Sequence, residues 1–225
     1  VEAVPAEADA TVAVAAGVGT VTGQVFDDLD GDGVHDAGAG GLGGWTVFLD
    51  GDADGVLDEG ERSTVTGSDG SYRFENVGAG TVTVGRVLQE GWRATAPSDN
   101  LQVVQVVADA VTGGADFGGY LGARLGGVMF DDRNANGQRD AGEDVLAGWT
   151  LQLDRNNDGS VDATVVTGAD GSFVFVDLAP GSYRISAVSQ AGWLATTAAG
   201  GLVATATSGL LRSDLDLGSG QSASI

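Results

Sequence analysis

The chain contains neither cysteine nor lysine. Without cysteine there are no disulfides, zinc–thiolate sites, iron–sulfur clusters or cysteine nucleophiles. The compartment stays open, because a secreted protein can be stapled by metal ions instead. Without lysine there is no Schiff-base chemistry, no Walker P-loop and no lysine-based covalent cross-link. All 10 basic residues are therefore arginine. Proline is scarce, at 3 residues. Long apolar runs are also missing, so no stretch reads as a bilayer span. Thr11 to Val21 is apolar but short. It follows Glu2, Glu7 and Asp9 with no positive region ahead of it, so it does not read as a signal peptide.

What is abundant is acid and glycine. The 225 residues carry 32 acidic side chains and a net charge of −22. That charge repels phosphate, which argues against nucleic acid and against an anionic membrane surface as partners. A hydrophobic fraction of 42% is ordinary for a folded protein, so the acidity does not signal disorder. Glycine, at 39 residues, points to many turns.

The sequence repeats itself at an offset near 100 residues. Phe26-Asp27-Asp28 returns as Phe130-Asp131-Asp132, and Gly44-Trp45-Thr46 as Gly148-Trp149-Thr150. Asp69-Gly70-Ser71-Tyr72 returns as Asp170-Gly171-Ser172-Phe173, and Gly91-Trp92 as Gly192-Trp193. The spacing predicts an arm over 1–19, modules over 20–122 and 123–220, and a tail over 221–225. Within each module the pattern is short and extended. Val21 to Phe26, Trp45 to Leu49, Thr81 to Leu88, Leu101 to Val107 and Asp116 to Tyr120 read as strands in the first copy. Asp69-Gly70 and Asp170-Gly171 read as tight hairpin turns. Helical periodicity is missing, so the expected class is all-β, two tandem Ig-like sandwiches. The four tryptophans each follow a glycine at the start of a strand, which assigns them to the core. The other reading is a stacking platform for sugars.

One spaced-oxygen pattern occurs four times. It runs Asp28, Asp30, Asp32, Asp36; then Asp50, Asp52, Asp54, Asp58; then Asp132, Asn134, Asn136, Asp140; then Asp154, Asn156, Asp158, Asp162. In every copy these are positions 1, 3, 5 and 9, with glycine at position 6. Alternate residues can aim oxygens at one hard cation, the glycine permits the sharp turn, and the carbonyl at position 7 adds a ligand. Those carbonyls belong to Val34, Val56, Gln138 and Ser160. An EF-hand loop closes with glutamate at position 12, which is Glu61 in the second loop and Glu143 in the third. The first has Ala39 there and the fourth Val165, so each must borrow a ligand or bind more weakly. Acidic surface turns or adaptation to high salt would explain the composition but not four copies of one spacing. Calcium is the expected ion; magnesium prefers to keep its waters. Strands flank the loops, so calmodulin-type switching is not expected.

Taken together, Phe26-Asp27-Asp28-x-Asp30-x-Asp32-Gly33-x-x-Asp36, Gly44-Trp45-Thr46-Val47, Asp69-Gly70-Ser71-Tyr72-x-Phe74 and Asp140-Ala141-Gly142-Glu143 resemble the B-type repeats of serine-aspartate-repeat surface proteins, the SdrD B-like family. The resemblance covers both modules. It implies a Cna-B-type sandwich, bound calcium, and service as a rigid spacer in a bacterial cell-surface adhesin or secreted fibre. Relatives with this sandwich sometimes carry a lysine–asparagine isopeptide bond, which this chain cannot form. The implied partners are other copies of the chain, neighbouring modules, or a host or matrix ligand.

An enzyme is not expected. Nearly all carboxylates sit in the loops, and His35 stands at a loop position facing solvent with no nucleophile beside it. The competing functions are a carbohydrate-binding or adhesive module and an accessory domain of a secreted hydrolase. Ala10 to Val18 is apolar with Val12 and Val14 in alternation. It reads either as a linker or as a strand donated to a neighbouring subunit.

Overall fold

A computed structural model describes residues 17–198 and 200–222. Among these residues there is no helix; eighteen strands form four sheets. Each repeat contributes nine strands to a pair of facing sheets. In the first repeat β4 (Ser71–Gly78), β1 (Val18–Asp27), β9 (Phe117–Leu121) and β6 (Trp92–Ala96) form one sheet in that order, with β8 (Val111–Thr112) also on β1. The other sheet is β3 (Ser63–Val65), β2 (Thr46–Asp50), β5 (Gly80–Arg86) and β7 (Leu101–Val106). The second repeat copies this order. One sheet is β13 (Ser172–Leu178), β10 (Ala123–Asp131), β18 (Leu217–Gln221) and β15 (Trp193–Ala195), with β17 (Leu211–Arg212) on β10. The other is β12 (Ala163–Val166), β11 (Thr150–Arg155), β14 (Gly181–Ala187) and β16 (Leu202–Ala206). The all-β, two-sandwich class expected from the sequence is the observed one.

Alternation puts each core between its sheets. In β4, Tyr72, Phe74 and Val77 point inward while Arg73 and Glu75 face water. They meet Val21, Val25, Val47, Val84 and Phe117, and Leu125, Met129, Leu151, Ile185 and Leu217 occupy the second core. The tryptophans divide into two kinds. Trp45 and Trp149 are 2% and 5% exposed, whereas Trp92 and Trp193 are half-buried and pack edge-on against them at 5.2 and 5.4 Å. Arg86 is buried in the first module beside Trp45 and Phe117. It donates to Asn100 Oδ1 and the Gly118 carbonyl, and burial pulls its pKa down to about 10, so the guanidinium stays charged at neutral pH.

The structure departs from the sequence reading in two further places, and one reading lies largely outside the described residues. Asp69-Gly70 and Asp170-Gly171 are tight turns, but neither closes a hairpin: β3 and β4, like β12 and β13, lie in different sheets, so the turn carries the chain across the sandwich. Trp45, Val47 and Leu49 alternate in sequence as one apolar face, but Phe48 between them is also fully buried, on the other face, because Gly85 leaves room for its ring. The segment Ala10 to Val18 falls outside the described residues except at its end, where Val18 is already in β1 and pairs with Gly78.

A single residue, Gly122, separates β9 from β10. A Cβ there would lie 2.6 Å from Asp177 Oδ1 and 2.9 Å from Asp177 Cα, so only glycine fits. Backbone bonds cross the junction from Gly209 N to the Leu121 carbonyl and from Ser208 N to the Leu29 carbonyl. Arg93 pairs with Asp177 at 2.6 Å beside them. The first acidic loop therefore touches the second module through Leu29.

Two outcomes follow for denaturant melts and scattering. Trp45→Ala or Trp149→Ala destabilises by about 3–5 kcal/mol, and Trp92→Ala or Trp193→Ala by clearly less, because their rings are only partly removed from water. Gly122→Val loosens the junction, read as a broader distance distribution in small-angle X-ray scattering, with both modules still folded.

Candidate metal centre

Each acidic loop begins where a core strand ends. Asp28 and Asp132 directly follow β1 and β10, Asp50 closes β2, and Asp154 is the penultimate residue of β11. The strands carry these carboxylates under cover: they are 0%, 1%, 5% and 9% exposed for Asp28, Asp132, Asp50 and Asp154. A buried carboxylate needs donors, and the loop backbone supplies them. Asp28 accepts from Gly31 N and Gly33 N, both at 2.8 Å. Asp50 accepts from Ala53 N and Gly55 N at 2.6 and 2.9 Å. Asp132 accepts from Asn136 N and Gly137 N at 3.1 and 2.7 Å, and Asp154 from Asp158 N and Gly159 N at 3.1 and 2.9 Å. In all four, one carboxylate oxygen receives the N–H of the position-6 glycine.

That bond requires the chain to curl back, and the glycines do so with φ of 85°, 81°, 75° and 90° at Gly33, Gly55, Gly137 and Gly159. Position 4 is left-handed as well, a feature the spacing did not disclose. It is Gly31, Ala53, Ala135 and Asn157, with φ of 79°, 62°, 55° and 58°. Only the small or amide side chains at these positions hinted at it.

Local turns set the remaining positions. Asp32 N donates to Asp30, Asp54 N to Asp52, and Asn136 N to Asn134. The position-7 residues Val34, Val56, Gln138 and Ser160 each donate their N–H to the position-5 side chain, at 2.7 to 2.8 Å. In the first module this winding gathers Asp28, Asp30 and Asp32, and separately Asp50, Asp52 and Asp54, with one carboxylate oxygen of each within 4.8 Å of the others. Two carboxyls of these loops are pushed above their ordinary range. Asp30, aided by burial and by Asp32 and Asp28, pushes the Asp36 carboxyl above its usual range. Burial, then Asp54, pushes up Asp52.

The second module resolves the same winding differently. Asn134 and Asn136 each donate an amide N–H to Asp140 Oδ2, at 2.8 and 2.7 Å. Arg133 reaches both Asp131 and Asp144. Burial works against ionisation of Asp132, but hydrogen bonds, among them those from the N–H groups of Gly137 and Asn136, hold the carboxyl low. The hydroxyl and N–H of Ser160 do the same for Asp158.

The glutamates at position 12 close two loops. Glu61 accepts from Gly51 N and Asp58 N, and Glu143 from Arg133 N and Asp140 N, so each spans positions 2 and 9 of its loop. In the fourth loop the position-2 donor, Arg155 N, goes instead to Asp162 Oδ2 at 2.6 Å. The position-9 aspartate thus takes over the position-2 half of the glutamate's role, while its own N–H goes to the Leu153 carbonyl; the signal was the shorter connection after that loop. In the first loop Ala39 offers only its carbonyl, against His35 Nε2 at 3.2 Å. His35 is exposed and stacks on Phe26.

The donors are carboxylate and amide oxygens on short arcs of backbone, a set suited to a hard divalent cation. The two acidic clusters of the first module could hold a metal ion. The left-handed position 4 gives a test that can be run without metal. Ala135→Gly relieves a left-handed alanine and raises stability by about 0.5–1 kcal/mol in chelator, measured by denaturant melt. No gain would mean that the position-4 conformation is unstrained.

The fold and loops define a class: tandem β-sandwiches with acidic, cation-type loops leading from their core strands. The family model of the SdrD B-like domain matches residues 19–110 and 123–221, and the chain belongs to that family. Among curated proteins it is 28% identical over 188 residues to serine-aspartate repeat-containing protein D of Staphylococcus aureus (strain Newman), covering 79% of this chain and 14% of that protein. It is 30% identical over 179 residues to serine-aspartate repeat-containing protein C of Staphylococcus aureus (strain MRSA252), covering 75% of this chain and 19% of that one. The chain thus spans less than a fifth of either relative. Solved structures with a similar course include a minor pilin of Streptococcus agalactiae, at TM-score 0.36 and 11% identity, covering 92% of this chain and 98% of the pilin. A single B repeat unit of the collagen-binding surface protein of Staphylococcus aureus gives TM-score 0.30 and 13% identity, covering 90% and 98%.

Proposed function

We propose that this chain is a non-catalytic, calcium-stabilised structural segment of a bacterial cell-surface or secreted protein, with modules over 20–122 and 123–220. The observation that carries the reading is the buried aspartate at the head of each loop, which ties an oxygen-lined turn directly to a core strand. An ion held there would neutralise clustered carboxylates and fix the loop to the sandwich. The two-module arrangement with a one-residue connection suits a spacer that holds its shape. Membership of the SdrD B-like family supports placement at the cell surface, since its relatives include serine-aspartate repeat-containing proteins. The partners are neighbouring modules or further copies of the chain. Burial of Trp45 and Trp149 counts against a sugar platform.

The proposed ligands are Asp28, Asp30, Asp32, the Val34 carbonyl and Asp36; Asp50, Asp52, Asp54, the Val56 carbonyl, Asp58 and Glu61; Asp132, Asn134, Asn136, the Gln138 carbonyl, Asp140 and Glu143; and Asp154, Asn156, Asp158, the Ser160 carbonyl and Asp162. Titration calorimetry with calcium should give about one ion per loop. Each occupied site adds about 2.7 kcal/mol when calcium stands 100-fold above its Kd, so chelation lowers the melting temperature. A melting transition unmoved by chelator refutes the reading. Glu143→Gln should weaken calcium binding more than Asp144→Asn, because Glu143 closes the loop whereas Asp144 pairs with Arg133 at its rim. Equal losses would show that position 12 is not a ligand.

A further inference from the structure

We propose that the two modules differ in their need for the ion: the first depends on calcium to hold its loops, whereas the second carries its own replacement for it. The inference rests on the calcium reading above. The internal repeat supplies the comparison, since the same winding occurs twice in each module around the same buried aspartate.

In the first module the inward positions are all carboxylates. Asp28, Asp30 and Asp32 converge in one loop, and Asp50, Asp52 and Asp54 in the other. No arginine lies between Asp28 and Glu61. Asn134 and Asn136 stand where Asp30 and Asp32 stand, and Asn156 where Asp52 stands. These exchanges remove negative charge and add N–H donors. The donors are used: both amides of the third loop close on Asp140, an acceptor that an incoming cation would otherwise satisfy. Arginine enters the same loops. Arg133 replaces Leu29 and pairs with Asp131 and Asp144, and Arg139 lies 3.8 Å from Asp216. By contrast, Asp27, the counterpart of Asp131, has a buried carboxylate oxygen with no partner. Like charges gathered without a counter-ion oppose folding, and amides or arginines in their place do not. The first loop is also the one at the inter-module junction, through Leu29 and Ser208, so losing its ion loosens that contact as well.

The test uses the whole chain and hydrogen exchange read by mass spectrometry, in calcium and in chelator. Removing calcium should speed exchange of core amides in residues 19–121 at least about tenfold more than in 123–222, a difference of about 1.4 kcal/mol. The pair Asn134→Asp with Asn136→Asp should carry the dependence into the second module: its amides become labile in chelator and regain protection with calcium. Equal sensitivity of the two modules overturns the proposal while leaving calcium binding intact. Greater sensitivity of the second module, or a double variant as protected in chelator as the parent, also overturns it. If neither module responds and calorimetry records no calcium uptake, the calcium reading falls with it.

Discussion

Four buried aspartates organise the functional part of this protein. Each sits at the end of a core strand, where water is excluded and a carboxylate must find donors. The following residues meet that demand by curling back to point the N–H of position 6 at it. Everything else about the loops descends from this requirement. The curl demands left-handed backbone at positions 4 and 6, which selects small residues and glycine. It also aims positions 3 and 5 inward, so that acidic side chains there are forced together.

That crowding is where the two modules part company. The first leaves carboxylates facing carboxylates. The second inserts amides and arginines that hydrogen-bond across the same space. Positions 4 and 6 are left-handed in all four loops, and although Asn156 at position 3 of the fourth is left-handed as well, the larger difference between the modules is one of charge. Two copies of one module thus share a fold and a family while presenting different charge in the same loops.

The junction adds a mechanical constraint. With one residue between β9 and β10 and no room for a side chain on it, the modules have little freedom to pivot. The Leu29–Ser208 bond places an acidic loop at that contact. Beside it, Gly209 N, the Ser208 hydroxyl and the Arg93–Asp177 pair complete the contact.

The sequence by itself determined the repeat, the all-β class, the loop positions and the chemistry excluded by missing lysine and cysteine, because all of these are periodic or compositional. It placed all four tryptophans in the core, which holds for Trp45 and Trp149 but not for the half-buried Trp92 and Trp193, and it marked position 6 through its glycine. Tertiary structure alone decided the rest. Asp69-Gly70 looks like a hairpin in sequence, yet the chain crosses between sheets there, since turn residues fix local curvature and not which strands pair. Phe48 is buried on the other face because Gly85, distant in sequence, vacates the space above it. Asp162 takes over half of a role that counting assigns to position 12, because what matters is a carboxylate within reach of the Arg155 N–H and not its place in the count. The closure of Asn134 and Asn136 on Asp140 depends on side-chain directions set by the folded loop, and no spacing rule carries that information.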